Sequence, residues 1–337
     1  MADRLNRVPF DSRVFIEDLR QTASLISAPF DSEVVRKVVA VFQEDLARCA
    51  VQLKTSSDPL DGLYFRFFSV GPDNLIDRAD RHGLRRHRPN QLDLFQARLM
   101  EVYPHAAQAG LDFHCAAGLA KLWTFGYRPM DELTELSFMP ESVRRHQAFF
   151  ANHGLKECFC LSVDYRHSTI NIYTFLDPVH RTLSWLEQML AYTGSTDTEA
   201  IVPKALINAL RADAFVGMTF SWDNPAMHRW ALYGVDVRYL DAAACRTLPP
   251  LPPRLRTFVD ASPTLSYDPH LNVAWSFEPT RCVVKFEKAY QCTPENSPVR
   301  LRGKQVPITV PVRTSVGRPD AGGFICISFS GGAADAP

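Results

Sequence analysis

Five short stretches of this sequence set residues that could do chemistry an even number of positions apart. YFRFFS places Arg66 between Tyr64 and Phe68; later, Lys121 precedes Trp123, Asn171 precedes Tyr173, Arg229 precedes Tyr233 and Lys285 precedes Glu287. Side chains alternate across an extended strand, so residues separated by an even number share a face. On that face four stretches carry a cation and the fifth carries an amide, each beside a ring or a carboxylate. The opposite face carries Phe65, Phe67, Ile170, Ile172, Trp230, Leu232, Val284 and Phe286. A single basic residue in a strand usually marks the wet side of a half-buried sheet, but the repetition, against so apolar a reverse side, describes strands whose polar-aromatic face lines an interior. Cations gathered in an interior need a compensating anion. A diphosphate suits them, with several oxygens for guanidinium and ammonium groups, and the neighbouring rings can shield a carbocation through their π faces. Both features belong to an allylic diphosphate.

The elements that must hold these residues repeat along the chain. Asp11 is an N-cap residue ahead of a stripe of Phe15, Leu19, Thr22 and Ile26, which predicts a helix that Pro29 stops. A second helix follows from Asp31 or Ser32, with Val35, Val38, Val39, Phe42 and Leu46 on its buried side. AVQLKTSS and LYFRFFSV, joined by the turn residues DPLDG, read as a hairpin. Further strand-like runs lie at 111–126, at 157–165 with 169–176, at 214–222 with 229–237, and at 270–277 with 281–290. Hairpin centres recur at roughly 55-residue intervals, with helical patterns such as PESVRRHQAFFANHG and TLSWLEQMLAYTG between them. Five antiparallel hairpins are relieved of their edges by closing on one another. The predicted class is α+β: a ten-stranded antiparallel β-barrel ringed by helices, built from repeated αββα units, with a lumen too wide for its own side chains to fill. One domain over residues 1–337 is expected, with LPPLPPRL at 248–255 as a rigid connector inside it and GGFICISFSGG as a last strand.

Composition narrows the function classes. Lys plus Arg equals Asp plus Glu at 37 each, so no global field favours nucleic acid or an acidic membrane. The basic run RADRHGLRRHRP at 78–89 reads as a solvated helix face. The amino terminus lacks a signal-peptide core and no stretch is long and apolar enough to span a bilayer, so a soluble, cytoplasmic monomer is expected. The eight cysteines include no CxxC pair and read as reduced and mostly buried, with Cys158 and Cys160 on one strand face. The ten histidines show no HExxH spacing; His167 stands out for its place beside a cavity strand.

LKTSSDPLDGLYFRFFS, GLAKLW, VDYRHSTINIY, HRWALY and NVAWSFEPTRCVVKFEKAY resemble, in order and spacing, the ABBA aromatic prenyltransferases. The resemblance runs from residue 12 to 330 and is nearest to the soluble enzymes that prenylate 4-hydroxyphenylpyruvate for aminocoumarins, with fungal phenazine and dihydroxynaphthalene relatives. It implies a ten-stranded barrel, dimethylallyl diphosphate as donor and a small aromatic acceptor. It implies that Lys54, Arg66, Lys121, Arg229 and Lys285 bind the diphosphate with help from Asn171 and Tyr173. Tyr233 and Trp123, with Tyr64, would wall in the prenyl chain. Glu287 resembles a carboxylate placed near the acceptor, where it would accept a proton or merely pair with Lys285 or Lys288.

Departures from the family pattern carry information too. Arg66 stands where magnesium-dependent relatives have an aspartate, and DDxxD and NSE-type patterns are missing, so catalysis without a required metal is expected. Phe159 stands where the aminocoumarin branch uses an arginine to hold its carboxylate-bearing acceptor, which favours a flatter, less charged one. Gly217 and Ala289 stand where other members carry tyrosines, which predicts extra room. The rival from another class is a non-catalytic barrel that binds a small anionic or aromatic ligand.

Overall fold

The computed structural model describes residues 10–69, 75–85, 91–103, 108–195, 206–208, 210–235, 252–263 and 271–291. Asp11 caps α1 (Ser12–Leu25) by accepting hydrogen bonds from the backbone of Arg13 and Val14, and Asp31 does the same for α2 (Ser32–Arg48) through Glu33 and Val34. Both helices begin where the sequence predicts. The hairpins follow as β1 (Ala50–Ser56) with β2 (Tyr64–Ser69), β3 (Gln108–His114) with β4 (Gly118–Pro129), β5 (Glu157–Asp164) with β6 (Thr169–Phe175), β7 (Leu210–Ser221) with β8 (Met227–Val235), and β9 (Leu271–Phe277) with β10 (Cys282–Gln291). Each strand is antiparallel to its neighbours, and β10 pairs with β1. The sheet is therefore a closed barrel in the order β1-β10-β9-β8-β7-β6-β5-β4-β3-β2.

Between the hairpins lie α3 (Leu75–Arg81), α4 (Gln91–Val102), α5 (Met130–Glu135), α6 (Glu141–Arg144), α7 (Gln147–Asn152), α8 (Leu183–Thr193) and α9 (Pro253–Ala261). The helical pattern PESVRRHQAFFANHG forms two short helices, α6 and α7. His146 leaves helical dihedrals at φ −94° and ψ 9°, held by Tyr192 and by the Pro225 carbonyl at 3.2 Å. Part of the proline run at 248–255 lies outside the described residues; Pro252 caps α9, and β8 before the run pairs with β9 after it. GGFICISFSGG also lies outside them. The basic run is partly a tether: Arg78 pairs with buried Asp45 at 2.7 Å, and Arg85 pairs with Asp80 and Asp93.

Strand alternation divides the apolar residues into two separate cores. The larger lies between barrel and helices and holds Phe15, Phe42, Phe65, Phe67, Phe113 and Trp230 among others. The smaller lies inside the barrel: Phe68, Trp123, Phe125, Phe159, Tyr173, Phe215 and Tyr233 with Cys160, Ala231 and Ala274. Cys158 and Cys160 do not share a face as expected. A bulge between them shifts the register, which leaves Cys158 in the outer core and turns Cys160 into the lumen. Phe159 reaches the lumen through the same bulge.

Phe113 is fully buried and its ring meets those of Phe42, Phe65 and Phe67 at 5.5, 5.4 and 6.3 Å. Phe113→Ala should lower the unfolding free energy by about 3–5 kcal/mol through the cavity it opens. Chemical denaturation measures the loss; a cost under about 1 kcal/mol would contradict the outer core described here.

Candidate active site

The lumen is open over part of its volume and packed with rings over the rest, so the expectation of a wide solvent-filled interior holds only in part. The open part is an outer chamber of about 230 Å³. It brings together four of the five expected cations, Lys54, Lys121, Arg229 and Lys285. Lys54 pairs with Asp112 at 2.9 Å, Lys121 with Asp164 at 2.9 Å and Arg229 with Glu278 at 3.7 Å. Asp164 sits well below the ordinary carboxylate range: burial pushes it up, but Lys121 and His167 outweigh burial. Arg229 also donates to Thr219 at 3.2 Å, whose hydroxyl donates to Asn171 at 2.7 Å. Asn171 and Gly217 line a narrow side cleft with Lys121, Arg229 and Lys285.

Lys285 differs from the other three. Among the described residues it has no hydrogen-bond or ion-pair partner, and its amine is held well below the usual lysine range by burial first, then by Arg229, Lys121 and Lys54, against the pull of Asp61. A half-buried amine among three other cations favours the approach of an anion. At the rim, Tyr64 donates to Asp61 at 2.8 Å and accepts from Arg166, while Lys54 lies 4.6 Å over its ring. Arg281 pairs with Asp58 and Glu278, each at 2.7 Å.

Arg66 is placed elsewhere. It is buried, lines a second, inner chamber of about 30 Å³, and is not among the residues that line the outer one. Its Nη2 pairs with Glu287 Oε1, its Nε stands 3.9 Å from Asp112, and its guanidinium lies 5.2 Å from the Trp123 ring centroid and 5.7 Å from that of Phe68. The diphosphate role that the resemblance implies for Arg66 is therefore one of field rather than contact in this geometry. Phe159 and Phe215 meet edge to face at 5.4 Å in the same chamber. Trp123, Tyr173, Tyr233 and Glu287 line both chambers. Burial raises the Tyr173 and Tyr233 phenols above their usual range, so both stay neutral.

The room expected at Gly217 is already taken. A Cβ there would stand 2.7 Å from the Tyr173 ring and 3.0 Å from that of Tyr233, so the glycine serves their close packing. Ala289 is buried opposite Gln52 and lines neither chamber. Asp112 on β3 and Asp164 on β5, absent from the sequence expectations, lie opposite Lys121 on either side of β4. Asp61, Arg166, Glu278 and Arg281 lie in turns, where alternation says nothing.

A family model described as Aromatic prenyltransferase Orf2 matches residues 10–297. The chain belongs to that family. This aromatic prenyltransferase is 26% identical over 289 residues to an aromatic prenyltransferase of Sclerotinia sclerotiorum, spanning 83% of this chain and 91% of that protein. It is 30% identical over 285 residues to the 4-hydroxyphenylpyruvate 3-dimethylallyltransferase of Streptomyces niveus, spanning 83% of this chain and 85% of that one. The 5-dimethylallyl tryptophan synthase of Streptomyces coelicolor, solved with DMASPP and Trp, aligns over 84% of this chain and 96% of its own at 14% identity with a TM-score of 0.52, a likeness of fold.

Inorganic diphosphate should bind the prenyltransferase's outer chamber with uptake of a proton, because the anion restores the charge that burial and Lys54, Lys121 and Arg229 suppress on Lys285. Only protonated Lys285 attracts the anion, so affinity falls as pH rises through its depressed value. Calorimetry in two buffers of different protonation enthalpy reads the uptake, and equal heats in both would refute it. Lys285→Met should weaken binding about tenfold or more, given about 1.5–3 kcal/mol for a hydrogen bond to a charged group.

Proposed function

We propose that this protein transfers a dimethylallyl group from dimethylallyl diphosphate to an electron-rich aromatic acceptor of hydroxynaphthalene, phenazine or phenol type, without requiring a metal. One observation carries the reading: a cationic chamber and an aromatic chamber share Trp123, Tyr173, Tyr233 and Glu287 as a common wall. The names of the relatives from Sclerotinia sclerotiorum and Streptomyces niveus support the same class of reaction.

In this reading the C–O bond of the donor breaks toward diphosphate, and the bonding pair leaves with the oxygen. Lys54, Lys121, Arg229 and Lys285 stabilise the charge that develops there, an electrostatic contribution fixed before the reaction begins. The allyl cation lies against Trp123, Tyr173 and Tyr233, whose π faces stabilise it and whose bulk excludes water. An aromatic carbon attacks, a C–C bond forms, and Glu287 or water takes the ring proton. Side chains supply the positive charge: Lys54 and Arg66 already neutralise Asp112 and Glu287, which supports the metal-free reading. Both chambers are lined by a single chain, so a monomer suffices. No helix among the described residues is long and apolar enough to cross a membrane, and Cys115, Cys158 and Cys160 are buried free thiols, in keeping with the reducing cytoplasm.

Dimethylallyl diphosphate, a panel of hydroxynaphthalenes, phenazines and phenols, and excess EDTA should give a prenylated product by chromatography and mass spectrometry. Product that vanishes with EDTA would defeat the metal-free part, and binding without product from any acceptor would favour the non-catalytic barrel. Glu287→Gln should lower kcat by about 10²–10⁴ if the carboxylate takes the proton. Arg66→Asp should cripple the metal-free reaction, since it sets a third carboxylate beside Asp112 and Glu287, and magnesium should restore part of what is lost.

A further inference from the structure

The ion pairs of the outer chamber are not equally tight. Lys54 and Lys121 meet Asp112 and Asp164 at 2.9 Å, within hydrogen-bond reach, whereas Arg229 Nη1 stands 3.7 Å from Glu278 Oε1, beyond it. Arg229 is fixed from its other side, where its Nε donates to Thr219 at 3.2 Å. Arg229 and Glu278 both line the chamber, and of the described ion pairs between residues that line it theirs is the longest.

Glu278 has a second cation at hand. It lies in the turn between β9 and β10, where its carbonyl accepts from the Ser195 hydroxyl at 3.0 Å and its amide donates to the Arg281 carbonyl at 2.9 Å. With the backbone held, the two carboxylate oxygens face two arginines: Oε1 toward Arg229, and Oε2 accepting from Arg281 Nε at 2.7 Å. Arg281 is tied in turn through Nη1 to Asp58 at 2.7 Å. Its side chain, 51% exposed, stands at the rim, while that of Arg229, 20% exposed, is inside. Burial pushes the Glu278 carboxyl up, but Arg281 and Arg229 outweigh burial and hold it below its ordinary range. It is a carboxylate shared between an inner and an outer guanidinium.

A diphosphate changes that balance. Its oxygens can meet Arg229 at the short distances of charge-assisted hydrogen bonds, which Glu278 does not reach. After transfer the difficulty reverses: inorganic diphosphate has one more ionisable oxygen than the allylic ester, so the cations that help the C–O bond break also retain the product. We propose that Glu278 is a positioning residue that acts through Arg229 as a resident competitor of diphosphate. Donor binding draws Arg229 to phosphate, Arg281 keeps the displaced carboxylate at the rim, and its return to Arg229 speeds the departure of inorganic diphosphate. The exchange follows from the chamber's geometry; its use in turnover rests on the prenyl-transfer reading.

The test measures inorganic diphosphate on the wild type, Glu278→Gln, Arg281→Met and the double variant. Calorimetry reads affinity, and stopped-flow tryptophan fluorescence, with Trp123 in the chamber wall, reads dissociation. Glu278→Gln should bind about tenfold tighter and release the anion about tenfold more slowly, the scale of one hydrogen bond to a charged group. Arg281→Met leaves the carboxylate to Arg229 and should weaken binding about tenfold on its own. Once Glu278 is glutamine the same change should cost less than about threefold, as for uncoupled sites. An equal loss in both backgrounds would show Arg281 acting on the anion by its own charge, and unchanged affinity or dissociation in Glu278→Gln would show a carboxylate that does not compete; either overturns the inference. Thermal unfolding certifies the fold of each variant, and Glu278→Ala repeats the test where the glutamine variant does not fold. Diphosphate binding is read without turnover, so absence of product from every acceptor would overturn prenyl transfer while the binding cycle still decides the exchange.

Discussion

Lys54, Arg66, Lys121 and Arg229 can stay charged inside a closed sheet because Asp112, Glu287, Asp164 and Glu278 stand beside them. Removing either partner from such a pair costs far more than an exposed pair would, because the remaining charge has no water to turn to. This pairing orders the interior: it fixes which rings lie next to which cations, and it orients the Glu287 carboxylate through Arg66 and Asn272. It also leaves Lys285 without an ion-pair partner among the described residues, its charge held down by burial and by the cations around it, so an anion arriving there meets an amine already in place.

The barrel itself was legible because it depends on a local rule. Alternation along the strands turns apolar Phe65, Phe67, Ile170, Ile172, Trp230 and Leu232 outward and Arg66, Lys121, Asn171, Arg229 and Lys285 inward, and the need to remove edges closes the sheet. Charge pairing across strands was less legible because it depends on register. Nothing local says that Lys54 lies opposite Glu287 on one side and reaches Asp112, two strands away, on the other. Turn residues such as Asp61 and Glu278 obey no alternation. The division of the lumen was hidden for a further reason: ring packing among Phe159, Phe215 and Tyr233 joins three strands, so no single stretch reveals that those rings fill one part of the cavity.

Alternation also fails where the backbone departs from it, and here that happens in the wall of the site. β4 shifts register between Phe125 and Arg128, and β5 shifts between Cys158 and Cys160 against β6. Phe159 and Cys160, adjacent in the chain, both face the inner chamber as a result of the β5 bulge, a density of inward side chains that a regular strand does not reach.

That irregularity makes the interior adjustable in whole-residue steps. Removing one residue from the β5 bulge would restore strict alternation, turn a phenylalanine toward the helices and enlarge the cavity by the size of a ring, with the ten strands and their order untouched. In barrels of this kind, single-residue insertions and deletions at bulges can therefore reshape acceptor choice in jumps that point substitutions, each confined to one side chain's volume, cannot make.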